Sequence, residues 1–252
     1  MTDAPADPFL TMPGTTRMEL TVTESAPVTP NMQRLVLTAP ELADFGYQPG
    51  QDMMLLVARD DGRPVRRRYT IRALDRERRL LTMDIVRHGS GPGEEWVRSA
   101  TPGATIEGIG PRGKVFPDPA ASWHLFVGDE SSLAAVFAMA ESLPPEVSAA
   151  VILEVPEAAD EQPLKPQASV QVSWLHRDGR PAGEPGALAE ALRAVPIPAG
   201  QPHAYLIGEA RVVSALREVL GERGFDPAQV SPKAYWGRGK ANAGHGEPPR
   251  DR

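Results

Sequence analysis

The sequence predicts a two-domain β + α/β protein: an antiparallel β-barrel followed by an α/β domain built on a parallel sheet. Three observations carry this. Up to about residue 117, short runs of alternating apolar and polar residues are separated by turn signals, the pattern of a small antiparallel barrel. Beyond it, alanine-rich stretches with helical spacing alternate with short apolar runs, the pattern of a parallel α/β sheet. The rhythm changes at Pro117-Asp118-Pro119, and 252 residues suffice for two small domains. The expected boundaries are a flexible start over 1–16, the barrel over 17–117, the α/β domain over 118–240 and a disordered tail over 241–252.

In the first part, Met18–Thr23, Gln33–Leu37, Met53–Ala58, Arg68–Ala73 and Leu80–Val86 alternate as half-buried strands do. Pro49-Gly50, Asp60-Asp61-Gly62 and the charged stretch Asp75–Arg79 punctuate them. A short helix near Gly93–Ala100 precedes Pro102-Gly103, and Thr105–Ile109 is a last strand. In the second part, Trp123–Val127, Ala149–Val155, Val170–Leu175 and His203–Ile207 read as buried strands. Leu133, Val136, Phe137 and Ala140 mark one helix, and Leu188, Leu192 and Val195 a second. Val212, Val213, Leu216, Val219 and Leu220 mark a third. Residues 156–168, rich in Pro, Glu and Gln, form a long connection.

Charge is distributed unevenly. The net charge is −6, all of it in the second part, which argues against nucleic acid as the main partner. In the neutral first part, eight arginines crowd into 63–79. Arg76, Arg78 and Arg79 share a turn with Asp75 and Glu77 and read as a solvated hairpin, whereas Arg66 to Arg72 lie in a strand and are better anion ligands. With no Cys, disulfides, Cys-ligated zinc and Cys-bound iron–sulfur clusters are excluded. The five His lack metal-ligand spacing, so no metal site is expected. The start, Met1-Thr2-Asp3-Ala4-Pro5-Ala6-Asp7-Pro8, carries acid where a signal peptide needs basic residues, and no stretch approaches the ~18 apolar residues of a membrane span. The expectation is a cytoplasmic protein without membrane insertion.

Two stretches point to a ligand. Arg67-Arg68-Tyr69-Thr70-Ile71-Arg72 presents cations and an aromatic from a rigid strand. His88-Gly89-Ser90-Gly91-Pro92-Gly93-Glu94-Glu95-Trp96 is a glycine-rich turn opening into a helix, whose bare N–H groups suit an anion. Together they suit an aromatic cofactor with a diphosphate, which suggests a flavin. Gly108-Ile109-Gly110-Pro111-Arg112-Gly113 matches G-x-G-x-x-G, but Lys114-Val115-Phe116-Pro117-Asp118-Pro119 cannot start the long helix a dinucleotide fold needs. It reads as a tight turn closing the barrel. Gly128-Asp129-Glu130-Ser131-Ser132 and Gly208-Glu209 follow apolar strands, where α/β sheets bind ligands. The same residues also read as helix starts, with Ser131 or Ser132 as N-cap. Tyr235-Trp236 ends the last apolar strand, either as core packing or as a cover for a ring.

These motifs, in this order over about residues 17–240, resemble the siderophore-interacting protein family of FAD-dependent ferric-siderophore reductases, which are ferredoxin-reductase-like. R-x-Y-T-x-R is matched by Arg67, Tyr69, Thr70 and Arg72, and H-G-x-x-G-P-x-x-x-W by His88, Gly89, Gly91, Pro92 and Trp96. G-D-E-T-A-L corresponds to Gly128–Leu133. Pro102-Gly103, Gly110–Gly113, Glu154, Trp174–Arg177, Gly208-Glu209 and Tyr235–Gly239 complete the series.

The resemblance implies an FAD-binding barrel, with FAD held non-covalently, and an α/β domain for NADPH or NADH. It implies that Arg67 and Arg72 grip FAD phosphates, with Arg68 beside them, that Tyr69 lies against the flavin ring, and that Thr70 bonds near its N5. Tyr69 and Thr70 are thus the catalytic candidates. Asp84, Val86, His88, Gly91, Pro92, Gly93 and Trp96 complete the FAD site. Asp129, Glu130, Ser131, Glu209 and Trp236 border the nicotinamide. Arg66, Arg112, Arg238 and Lys240 form a cationic rim for a ferric siderophore. Arg177 and Arg180, after the strand Val170–Leu175, are candidates for a 2′-phosphate site or a solvated turn. Ser131-Ser132 departs from the family's Thr-Ala, and Met53-Met54 stands where many members carry a Lys. The implied function is NAD(P)H-driven reduction of ferric siderophores, releasing Fe(II). A general NAD(P)H:flavin reductase and a non-catalytic siderophore- or flavin-binding protein are the alternatives.

Overall fold

The computed structural model describes residues 14–58, 64–87 and 91–239. The chain divides into two compact units, Met1–Gly113 and Lys114–Arg252. The expected Asp60-Asp61-Gly62 turn and the ligand candidates His88 and Lys240 lie outside the described residues, as do Arg63, Gly89, Ser90 and the expected tail over 241–252.

The first unit is an antiparallel sheet of seven strands: β1 (Thr16–Thr29), β2 (Met32–Thr38), β3 (Asp52–Val57), β4 (Val65–Thr70), β5 (Ala73–Asp75), β6 (Leu80–Val86) and β7 (Thr105–Arg112), ordered β4-β3-β7-β1-β2-β6-β5. The two edge strands, β4 and β5, are separated in sequence by Ile71 and Arg72 alone. This short link forces the sheet to curl until its edges meet. Ile71 N donates to Gln51 O at 3.0 Å, and Arg72 N to Thr82 O at 2.9 Å, so consecutive amides bond to opposite sides of the barrel. The run expected as one strand over Arg68–Ala73 is therefore two, hinged at a fully buried Ile71. β1 runs longer than Met18–Thr23 because its pairing with β2 continues through two register shifts, after Val22 and after Pro27.

The apolar faces of these strands enclose Leu20, Leu35, Leu37, Met53, Leu55, Ile71, Leu81 and Met83, all fully buried. The helix α1 (Pro92–Ser99) joins this core through Val97 and Trp96. The G-x-G-x-x-G match is the end of β7. A Cβ at Gly108 would lie 2.7 Å from Leu20 Cδ1, and one at Gly110 would lie 2.2 Å from Met53 Sδ, so these glycines serve packing inside the barrel.

The second unit is a parallel five-stranded sheet of β8 (Trp123–Asp129), β9 (Ser148–Val155), β10 (Ser169–His176), β11 (Pro202–Glu209) and β12 (Val230–Trp236), ordered β10-β9-β8-β11-β12. On one face, α3 (Gly186–Ala194) and α4 (Ala210–Glu222) pack on Leu125, Val127, Ile152 and Leu206. On the other, α2 (Leu133–Glu141) sets Phe137 edge-on to Trp174 at 6.3 Å. Residues 133–140 of α2 are all buried, as expected of a helix apolar all round. From β8 the chain moves to β9 and β10 on one side, then returns to β11 and β12 on the other. β8 and β11 are thus neighbours whose chains leave in opposite directions, and in such sheets the crevice outside their carboxyl ends receives ligands. No described helix is long and apolar enough to cross a membrane.

Candidate functional site

In the first unit the two ligand-directed stretches come together. β4 carries Arg67 and Tyr69 on one face and Arg66, Arg68 and Thr70 on the other. Tyr69 packs partly on the barrel core, and its hydroxyl reaches the start of α1. A Cβ at Gly93 would lie 2.9 Å from Tyr69 Oη and 3.2 Å from Arg67 Cγ and Nε, so only glycine lets both side chains close on the helix start. Gly91, at φ +121°, is the N-cap and supplies no side-chain cap, while Pro92 occupies the first turn. A phenol, a guanidinium and first-turn amides converge there, a donor set that matches a diphosphate. Burial pushes the Tyr69 phenol up to about 12, against the pull of Arg67, so it stays a neutral donor. The acid of this turn is answered locally: Glu94 pairs with Arg98 at 3.2 Å and approaches Arg87 at 3.9 Å.

The other face of β4 is organised by carboxylates that sequence reading missed or assigned differently. Arg68 donates to both oxygens of the buried Asp52, at 2.8 and 2.6 Å. On β6, Asp84 accepts from Arg34 Nε and Nη2, each at 2.7 Å, and Arg72 Nε stands 3.8 Å from the same carboxylate. Asp84 thus fixes the Arg34 guanidinium and attracts that of Arg72, and Val86, two residues further along β6, pairs with Met32 of β2. Thr70 is buried at the end of β4, Arg66 is exposed, and Arg112 Nη1 lies 2.9 Å from Met54 Sδ. Trp96 sits half-buried against the barrel core.

In the second unit, the candidates gather at the carboxyl ends of the strands. Asp129, the last residue of β8, accepts four hydrogen bonds. Oδ1 takes Ser131 N at 2.9 Å and Ser131 Oγ, and Oδ2 takes Glu209 N at 3.0 Å and Trp236 Nε1 at 2.9 Å. Burial, then the Glu130 charge, push this carboxyl above the ordinary range, against the Ser131 and Trp236 bonds that favour its charged form. The glycines of both motifs make room. A Cβ at Gly208 would lie 2.6 Å from Asp129 Oδ2, and one at Gly128 would strike Ile207 O at 2.2 Å and Ser132 Oγ. Ser132 holds the N-cap position of α2, but its hydroxyl donates back to Asp129 O at 2.7 Å rather than capping. Glu209 does cap α4, accepting from Arg211 N at 2.5 Å and Val212 N at 3.0 Å, and its other oxygen accepts Arg238 N at 3.0 Å.

Arg177 follows β10. It donates to both oxygens of Glu130 at 2.6 and 2.7 Å and reaches Glu154 Oε1 at 3.4 Å. It is 6% exposed, so its guanidinium is committed inside the unit. Burial pushes Glu154 up while Arg177 pulls it down. Arg180 closes its own turn, donating to Arg177 O at 2.9 Å and His176 O at 2.6 Å. Arg238 is exposed and pairs with Glu184 at 2.5 Å.

Comparison with known proteins decides what this scaffold is. Residues 56–115 match the family model described as siderophore-interacting FAD-binding domain, and residues 121–239 that described as siderophore-interacting protein. Ferric vibriobactin reductase ViuB of Vibrio cholerae is 31% identical over 239 residues, covering 84% of this chain and 86% of its own. The chain belongs to the siderophore-interacting protein family. Among solved structures of such proteins, a siderophore utilization protein from T. fusca superposes with a TM-score of 0.82 at 30% identity, covering 93% of this chain and 98% of that one. The NADPH-dependent ferric-chelate reductase of Escherichia coli is 28% identical, covering 86% of this chain and 92% of its own.

Within this siderophore-interacting protein, each family domain thus brings together residues that the sequence marked as candidates. What sequence reading missed are Asp52 and Arg34 in the barrel, as partners of Arg68 and Asp84, and the pairing of Arg177 with Glu130 and Glu154. These pairs join residues far apart in the chain, and no local spacing announces them.

Proposed function

We propose that the protein is an FAD-dependent NAD(P)H oxidoreductase that reduces ferric siderophores and releases Fe(II). The observation that carries the reading is the cradle at Gly93, where Arg67, Tyr69 and the first turn of α1 converge with no room for a Cβ. Arg67 and the α1 amides would hold the FAD diphosphate, with Arg72 aimed by Asp84. Tyr69 and Thr70, consecutive on β4, would border the flavin ring. FAD supplies the redox chemistry when bound: it takes a two-electron hydride and releases electrons singly, as Fe(III) requires. The protein's part is to bind and orient.

Supporting nicotinamide use is the carboxyl-end crevice between β8 and β11, bordered by Asp129, Glu130, Ser131, Glu209 and Trp236. The departure at Ser131-Ser132 is accommodated, since both hydroxyls bond to Asp129. The name of the Escherichia coli relative favours NADPH as donor. For an anionic ferric siderophore the candidates are Arg66 and Arg112 in the first unit and Arg238 in the second, of which Arg66 and Arg238 are exposed; Lys240 remains a candidate from sequence alone. A cytoplasmic location belongs to the same reading.

The test is anaerobic. The purified protein should be yellow, and NADPH or NADH should bleach it. A ferric siderophore should then restore the colour faster than free flavin does. Preference for free flavin would make it a general flavin reductase, and failure to bleach would make it a binder without turnover.

A further inference from the structure

We infer that Asp129 is a positioning residue: its carboxylate fixes the Trp236 indole as a stacking platform for a flat ring of the nicotinamide dinucleotide. The inference rests on the proposed use of this crevice for that cofactor, and goes beyond it in saying which residue builds the platform and how.

Three independent features converge on Trp236. The first is a bulge. β12 pairs with β11 in register from Ala204↔Val230 to Gly208↔Ala234, but the next pair is Glu209↔Trp236, so Tyr235 is skipped. A one-residue slip turns the following side chain to the other face, and such bulges re-aim side chains beside functional sites. The second is the hydrogen bond from Trp236 Nε1 to Asp129 Oδ2, at 2.9 Å. That oxygen lies where a Cβ would stand at Gly208, whose φ is +151°, so the backbone of β11 is shaped around the acceptor. The third lies at the far edge of the ring. Gly183, at φ +81°, comes so close that its Cβ would lie 3.2 Å from Trp236 Cη2. The indole is thus held at its N–H edge by a buried carboxylate and at its benzene edge by backbone, and remains half-buried. An aromatic held at both edges can offer only its face, and stacking is what an aromatic face does best.

Asp129 itself is 4% exposed, with both oxygens filled by four donors. It therefore acts on a ligand through Trp236 and not by touching it.

The test is a double-mutant cycle on dinucleotide binding, with a ligand-free arm. Asp129→Asn, Trp236→Phe and the double variant are titrated with NADPH and NADH, and with nicotinamide mononucleotide and AMP to show which ring stacks. Each single change should weaken dinucleotide binding about tenfold, the scale of one hydrogen bond to a charged group. The double variant should bind no worse than Trp236→Phe alone, because both changes remove one arrangement. Additive losses, or unchanged binding in Trp236→Phe, would overturn the inference. In the ligand-free arm, the emission of Trp236, taken as the difference between wild type and Trp236→Phe, should become more quenchable by acrylamide in Asp129→Asn. No change there would also overturn it, whatever the binding data. If that arm succeeds while wild type binds no dinucleotide, the positioning stands and the cofactor reading fails. Should Asp129→Asn not fold, the indole N–H resonance of Trp236 in the wild-type protein decides: slow exchange with solvent supports the bond to Asp129, and fast exchange rejects it.

Discussion

The carboxylate of Asp129 occupies the space that a side chain at position 208 would need, with Oδ2 only 2.6 Å from the Cβ site of Gly208. Two motifs about eighty residues apart in the chain are therefore one interlocking unit, joined by the Glu209 N to Asp129 bond. Gly208→Ala should cost about 2–4 kcal/mol, combining backbone strain at φ +151° with a displaced charge-assisted hydrogen bond. Urea unfolding measures it. A loss under about 0.5 kcal/mol, the range of an ordinary surface change, would mean that the carboxylate is not held there.

Arg177 should matter for stability and not for cofactor choice. Removing it leaves Glu130 and Glu154 facing each other in a buried setting, which typically costs about 3–5 kcal/mol. Arg177→Ala is expected to lower the denaturation midpoint sharply while the ratio of NADPH to NADH efficiency stays put. A shifted ratio with little loss of stability would restore Arg177 as a selector of the 2′-phosphate.

In the barrel, Arg67→Ala should weaken FAD about ten- to a hundredfold, as expected for a charge-assisted phosphate contact. Gly93→Ala should do the same by pushing Tyr69 and Arg67 apart. Thr70→Ala should instead keep FAD and slow its reduction. Flavin retention on dilution and the rate of bleaching by NADPH separate these outcomes. Full retention in Arg67→Ala would remove the cradle from the FAD site.

A pH effect follows from His124, which is 2% exposed and lies nearly parallel to the rings of Phe126 and Tyr205, at 6.1 and 5.9 Å. Burial, reinforced by His203 and opposed by Asp118, pushes it down to about 4. The unfolded chain binds this proton near pH 6.5, whereas the folded protein refuses it until about pH 4. Its contribution to stability is therefore complete above about 6.5 and is lost as pH falls towards 4. His124→Gln should flatten the stability profile across that interval. An equally steep profile in the variant would assign the effect to other groups.

Much of this architecture was legible in the sequence, because period-two and helical patterns report burial directly. The strands around Leu81 and Phe126 and the helix through Leu216 stand where their apolar spacing put them. The corner at Ile71 was not legible, since an apolar residue in an alternating run looks the same whether the strand continues or changes partner. Among the candidates, Arg67 was visible as a motif member and Gly93 as part of the glycine-rich turn, yet the reason for that glycine, contact with Tyr69, is a tertiary fact. Arg177 showed the opposite failure. An arginine beside Asp178-Gly179 resembles a solvated turn or an anion ligand, and only the fold brings Glu130 and Glu154 to it.

The central claim, electron transfer from a nicotinamide to a chelated ferric ion through bound FAD, is tested most directly by anaerobic stopped-flow spectroscopy. Protein reduced by NADPH is mixed with a ferric siderophore in the presence of an Fe(II) trap. The account predicts that the flavin absorbance returns as two equivalents of Fe(II) appear per flavin. With an anionic chelate, the rate should fall as salt rises and in Arg238→Ala, since exposed charges steer over a Debye length of about 8 Å at physiological ionic strength. A flavin that stays reduced with every ferric chelate, and is reoxidised only by oxygen or free flavin, would contradict it.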